Sequence, residues 1–204
     1  DLYLVHWPGS YFNTPDKSGR LAEIMNALKE SGKTKTIGLS NFKSHDLTLL
    51  ESQLKTFVMN EVPYSLLDRV YEGKTLEVCQ DASIPYMAFS PTAQGLLARP
   101  LSQDDLQLPT RKHHSLYQNE VYPHSQEVWK TVRAIAEELN CKPIKVALAW
   151  VLTRDNIFTA IVGTRKFEQV PEFAQATDLQ LSSRQLERLT TASDRFCKIN
   201  EGLK

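Results

Sequence analysis

Short runs of apolar and β-branched residues alternate along the chain with longer stretches whose apolar residues recur every three or four positions. That alternation predicts repeated β/α units around a parallel sheet, an α/β fold. Five runs predict strands, at residues 2–7, 36–39, 57–62, 84–89 and 158–162, and each ends in a polar or Gly/Pro-containing loop. Between the first two, Leu21, Ile24, Met25 and Leu28 keep the i, i+3, i+4, i+7 spacing of a helix, with Ser18 as the expected N-cap and Gly32 as the stop. Leu47, Leu50 and Leu54 predict a second helix, and residues 75–82 a third. Val128, Val132, Ile135 and Leu139 predict a fourth. After Asn140 and Pro143 comes a helix through Ala147, Trp150 and Leu152 whose all-round apolarity predicts burial. Ser182 and Gln185 form a capping-box pattern ahead of Leu186 and Leu189, so a helix is expected there too. Residues 98–125, rich in Pro, Gln, Asp and His, break the rhythm and read as one long irregular loop within a single domain spanning 1–204.

Composition adds little to this pattern and excludes several partners. With 24 Lys plus Arg against 24 Asp plus Glu, no broad field favours nucleic acid or an anionic membrane, so a small-molecule ligand is expected. Cys79, Cys141 and Cys197 are odd in number and widely spaced, which argues against a disulfide framework and against a zinc site. No metal is expected. No apolar run reaches membrane-spanning length and no leader precedes the first strand, so a soluble, cytoplasmic protein is the expectation. The chain opens at Asp1 directly on a strand-like run with no cap or turn before it, which reads as a cut end.

In parallel β/α arrays all strands point the same way, so the residues at their carboxyl ends converge on the ligand. Those positions are His6-Trp7-Pro8, Gly38 to Phe42, Glu61 to Tyr64, Phe89-Ser90-Pro91 and Gly163 to Lys166. His113 and His114, beside Arg111 and Lys112 in the irregular segment, fit three readings: metal ligands, a cofactor clasp, or hydrated surface.

The segments DLYLVHWP, GKTKTIGLSNF, NEVPYSLLDR, MAFSPTAQGLL and IVGTRKFEQV stand in the order and approximate spacing of the aldo-keto reductases, and the chain resembles that family over nearly its whole length. The resemblance implies a (β/α)8 TIM barrel, here from the fourth strand onward, with five strands present and the first three β/α units lacking. It implies a reductase that passes hydride from NADPH, or alternatively NADH, to a small-molecule aldehyde or ketone.

On that resemblance His6 matches the active-site histidine that orients the substrate carbonyl oxygen. Read from position alone, it is equally a core histidine bonded to backbone. Ser40 and Asn41 match the pair that holds the nicotinamide carboxamide. Glu61 stands where the family usually has a glutamine, and an ionised carboxylate accepts but does not donate. Phe89 matches an aromatic, commonly tyrosine, that stacks on the nicotinamide. Ser90, Gln94 and Leu96 match the residues along the pyrophosphate. Gly163, Thr164 and Arg165, with Lys166, match the adenosine 2'-phosphate segment, ahead of a helix whose N-terminal dipole would add to it. Further on, the frequent arginine and asparagine are replaced by Gln169 and Phe173, while Glu172 is kept.

The family's catalytic aspartate, tyrosine and lysine come from the first three β/α units. Tyr11 and Tyr64 are expected on the catalytic face, but neither stands in the proton donor's place. The expectation is a chain nearly inactive alone, completed by an amino-terminal segment or a complementing chain. Two alternatives are a non-catalytic cofactor-binding module, as in the β subunits of potassium channels, and a truncated pseudoenzyme. Ser40-Asn41-Phe42 resembles the enzymes, because those subunits carry arginine and tryptophan after the serine.

Overall fold

Strand β1 (Leu2–Val5), β2 (Thr36–Ser40), β3 (Asn60–Pro63), β4 (Tyr86–Phe89) and β5 (Ile157–Ile161) lie side by side in chain order. The first four pair in parallel, with Leu4 opposite Gly38, Ser40 opposite Glu61 and Pro63 opposite Phe89. The structure is a computed structural model that describes residues 1–10, 12–112, 114–164 and 166–203, and only the backbone of residues 51, 103, 110 and 112. Tyr11, His113 and Arg165, which carry expectations above, lie outside the described residues.

The chain divides into two compact units. The first, Asp1–Pro63, Val70–Phe89 and Asp155–Thr159, holds the sheet except for the end of β5, together with α1 (Pro15–Glu30), α2 (Ser44–Thr48) and α3 (Lys74–Asp81). Ile37, Leu39, Phe42, Leu47, Phe57, Val62, Ile84 and Tyr86 form its core. Helix α1 starts at Pro15, not at Ser18: the fixed φ of proline suits the first helical position, Thr14 before it is extended, and Ser18 is a buried residue one turn in. It buries Leu21, Ala22 and Met25 but leaves Ile24 half exposed. Gly32, at φ +75°, ends it in the left-handed conformation expected of a stop.

The predicted second helix is two pieces, α2 and a 3₁₀ turn at Glu51–Thr56. That turn delays β3, which begins at Asn60 instead of 57, although Phe57 is buried. Strand pairing is close at Gly38, where a Cβ would stand 2.6 Å from Leu4 Cδ2 and 3.1 Å from the Met59 main-chain oxygen. Any larger residue there pushes on backbone as well as on a side chain.

The second unit, Tyr64–Arg69, Ser90–Arg154 and Ala160–Lys204, is mainly helical. It holds α4 (Gln103–Leu106), α5 (Pro109–Lys112), α6 (Tyr122–Glu138), α7 (Pro143–Leu152), α8 (Gln169–Ala174) and α9 (Ser183–Gly202). The segment expected as an irregular loop thus carries α4, α5 and a 3₁₀ turn at Ser115–Tyr117. Helices of four residues are shorter than one i to i+7 repeat, so periodicity cannot reveal them.

The apolar α7 is buried from Val146 to Val151 and packs against α6 and α8. Trp150 Nε1 donates to Thr190 Oγ1 at 3.1 Å, which satisfies the one polar atom of that large side chain. The capping box of α9 forms as expected, Gln185 N donating to Ser182 Oγ at 3.3 Å and Ser182 N to Gln185 Oε1 at 2.9 Å.

Candidate active site

Parallel pairing puts the carboxyl ends of β1, β2 and β3 at one edge of the first unit, and Asn41 with Ser40 joins them. Asn41 Nδ2 donates to the His6 main-chain oxygen at 3.0 Å and to Ser40 Oγ at 2.9 Å. Ser40 Oγ donates to the Glu61 main-chain oxygen at 3.1 Å, and Asn41 N donates to the same oxygen at 2.8 Å. Asn41 sits at φ +64°, a left-handed conformation that asparagine tolerates better than most residues.

The amide is therefore oriented by its nitrogen. Both Nδ2 protons are used, and Oδ1 has no bond among the described residues, which leaves it as an acceptor for a ligand's N–H. Ser40 and Asn41 are buried, so a group bound there exchanges little with water.

His6 is exposed, with its ring edge-on to Trp7 at 6.0 Å, and its imidazole takes no hydrogen bond among the described residues. Glu61 is half-buried, and its carboxylate has no ion pair or hydrogen bond among the described residues. Phe89, half-buried, ends β4 opposite Pro63. His6, Ser40, Asn41 and Glu61 are thus brought together in one unit.

Sequence reasoning missed the support beneath this group. Tyr71 Oη donates to the Asn41 main-chain oxygen at 3.1 Å, and Tyr86 Oη donates to the Tyr71 main-chain oxygen at 2.8 Å. Asn60 Nδ2 donates to the Phe42 main-chain oxygen at 2.8 Å. Buried Asn60 was detectable as a polar residue inside an apolar strand, whereas nothing in the sequence marks the two tyrosines as props. Tyr64, expected on the catalytic face, is buried in the second unit with its ring stacked on Trp150 at 6.0 Å. It is a core residue.

In the second unit, the turn after β4 runs through left-handed backbone at Ser90 (φ +52°), Ala93 (φ +48°) and Gln94 (φ +55°), closing at Gly95 (φ +97°). Ala93 N donates to the Ser90 main-chain oxygen at 2.8 Å, and Leu96 is fully buried. Asp105 receives both Arg99 guanidinium nitrogens, at 2.7 and 2.9 Å, and this pairing, with the bonds from Ser102, holds its carboxyl far below the usual range. His114 caps the 3₁₀ turn, its Nδ1 accepting from Leu116 N at 3.3 Å, and burial pushes its pKa down. Among the described residues no cluster of three or more His, Cys, Asp or Glu is placed to hold a metal.

Gly163, Thr164 and Lys166 are exposed. Thr164 Oγ1 is 2.7 Å from Gln169 Oε1, so the glutamine found in place of arginine closes its own loop. The dipole expected from the following helix is withdrawn, since α8 has 6 residues, less than two turns. Glu172 Oε2 pairs with Lys142 Nζ at 2.7 Å, while Glu172 Oε1 is buried without a partner among the described residues. A buried carboxylate oxygen with nothing bound to it is an acceptor position for a ligand donor.

A model of the Aldo/keto reductase family matches residues 1–194. The chain is 27% identical over 183 residues, 89% of its length, to the NADH-specific methylglyoxal reductase of Escherichia coli (strain K12), of which it covers 55%. It is 30% identical over 196 residues, 94% of its length, to the uncharacterized oxidoreductase YcsN of Bacillus subtilis (strain 168), of which it covers 57%. Among solved structures it resembles an aldo/keto reductase from Klebsiella pneumoniae in complex with NADP and acetate. There the TM-score is 0.70 at 27% identity, over 93% of this chain and 57% of that one. The chain spans little more than half the length of these relatives. A five-stranded sheet with its polar side chains gathered at the strand ends, matched in sequence and in fold over nearly all its residues, places the chain in the aldo/keto reductase family.

Proposed function

We propose that this chain is the carboxy-terminal five-eighths of one (β/α)8 barrel domain that reduces small aldehydes or ketones with NADPH, or with NADH. The observation that carries the reading is the Ser40–Asn41 clamp, which presents Asn41 Oδ1 beside exposed His6 at the ends of β1 and β2. Glu172 Oε1, buried and unbonded, supplies a second test of fit, since it suits the exocyclic amine of an adenine.

When bound, the nicotinamide supplies the hydride. Asn41 Oδ1 would accept from the carboxamide N–H, with Ser40 beside it holding Asn41 in place and Glu61 offering a further acceptor. Phe89 would supply an apolar face for the ring. His6 hydrogen-bonds the substrate carbonyl oxygen, orienting it and stabilising the charge that develops there. In the second unit, Ser90, Gln94 and Leu96 contact the pyrophosphate. Gly163, Thr164 and Arg165 with Lys166 take the 2'-phosphate, and Gln169 and Glu172 take the adenosine.

The proton donor comes, on this reading, from three further β/α units, in the same polypeptide or in a complementing chain. Supporting this, β1 and β5 are the two ends of the sheet, with Tyr3 55% and Phe158 71% exposed where a closed barrel would cover them. Proton transfer by a positioned acid contributes roughly 10²- to 10⁴-fold, so the 204 residues alone turn over slowly. Cytoplasmic residence is part of the reading; the three cysteines are free, and no described helix is long and apolar enough to cross a membrane.

Titration of the 204-residue chain with NADPH and with NADH, followed by nicotinamide fluorescence, tests the proposal. Saturable binding with little aldehyde reduction is expected. A folded chain that binds neither dinucleotide overturns it.

A further inference from the structure

Arg111, the neighbour of His113 and His114 in the segment expected as an irregular loop, has a defined place. Its side chain is 12% exposed, buried more than is usual for a guanidinium. Nη2 donates to the Gln94 main-chain oxygen at 3.2 Å, and Nη1 donates to the Asp105 main-chain oxygen and to Asp105 Oδ1, each at 3.2 Å. The guanidinium lies 5.7 Å from the Tyr117 ring centroid, and Tyr117 Oη donates to the main-chain oxygens of Ala93 at 3.4 Å and Gln94 at 3.3 Å.

Two residues of the 98–125 segment therefore converge on the Gln94 carbonyl, and Tyr117 also reaches that of Ala93, both residues being left-handed. Left-handed backbone at a non-glycine residue costs roughly 1–2 kcal/mol and persists only where neighbours over-determine it. Within this cluster the Arg99 and Arg111 guanidiniums face one carboxylate, Asp105, which leaves a net positive charge beside the turn.

We propose that Arg111 is a positioning residue. Together with Tyr117, it holds the carbonyls of Ala93 and Gln94 so that the 90–96 turn keeps the shape that receives an anionic pyrophosphate. The proposal rests on the cofactor reading above and adds to it a residue that holds the turn without standing among the proposed contacts. By it, the 98–125 segment is a strap that shapes the binding turn from behind.

The test uses the 204-residue chain and two probes, NADPH by fluorescence titration and inorganic pyrophosphate as its competitor. In Arg111→Ala, affinity for both probes is expected to fall about tenfold, the loss of one or two charge-assisted hydrogen bonds. Arg111→Lys, which reaches one acceptor at a time, is expected to recover part of it. Tyr117→Phe keeps the ring and removes only the hydroxyl, and is expected to weaken both several-fold, so the proposal stays testable if Arg111→Ala does not fold. Unchanged affinities in folded variants overturn it, as does a loss of NADPH affinity with pyrophosphate competition unaltered. Failure of the unsubstituted chain to bind NADPH would instead remove the cofactor reading on which it rests.

Discussion

Asn41 Nδ2 lies 3.0 Å from the main-chain oxygen of His6, a residue 35 positions earlier, so the loop that carries the candidate catalytic histidine is held by the same amide proposed to bind the cofactor. On the proposed function, substrate and cofactor positions would be coupled through one side chain.

Asn41→Ala removes that bond and the one to Ser40, and leaves a Cβ residue at φ +64° without the asparagine's local compensation. A loss of about 2–3 kcal/mol in unfolding free energy is expected, the two hydrogen bonds contributing about 1 each and the left-handed backbone up to another. Asn41→Gly relieves the backbone but not the bonds and is expected to lose less. Urea unfolding of the two variants would show the order, and equal stability of all three proteins would remove the clamp.

Glu61 offers only acceptors where its family position commonly offers both a donor and an acceptor. Glu61→Gln is expected to tighten NADPH binding about fivefold, the worth of one added neutral hydrogen bond. Fluorescence titration at one ionic strength decides it, and weaker binding by the variant would mean that the carboxylate itself is the feature in use.

The strap is expected to be acid-labile. Asp105 has its pKa depressed below the ordinary 3.8, chiefly by Arg99, so its contribution to stability is full above that value and is lost as pH falls further. His114 has its pKa lowered from the ordinary 6.5 by burial, and its neutral ring accepts from Leu116 N. Protonating it therefore destabilises the folded form as pH drops below 6.5. Amide protection in residues 98–125, relative to the intrinsic exchange rate at each pH, should fall first below pH 6.5 and again below about 4, with His114→Gln removing the first step. Unchanged protection from pH 7 to 5 would contradict the His114 step.

Much of the fold was legible because it follows from local periodicity. The five strands fall within a few residues of their predicted places, and the Ser182–Gln185 cap formed where its pattern stood. The misses have particular causes. Ser18 lost the cap position to Pro15, whose geometry suits the first turn better. Phe57 is apolar and buried but unpaired as a strand residue, since hydrophobicity marks burial rather than hydrogen bonding. Tyr64 followed a strand end and still turned into a core against Trp150.

The candidate site divides in the same way. The sequence alone determined which side chains stand at the strand ends, because alternating β/α units fix where each strand stops, and the motifs around His6, Ser40, Asn41 and Glu61 are contiguous. What only the tertiary structure decided is what those side chains hold. Asn41 grips a carbonyl of His6, and Arg111 and Tyr117 grip carbonyls of Ala93 and Gln94. Their acceptors are main-chain oxygens, which every residue carries alike, so no letter of the sequence marks them out. Their identity is set by where folding brings distant backbone to within about 3 Å of a donor.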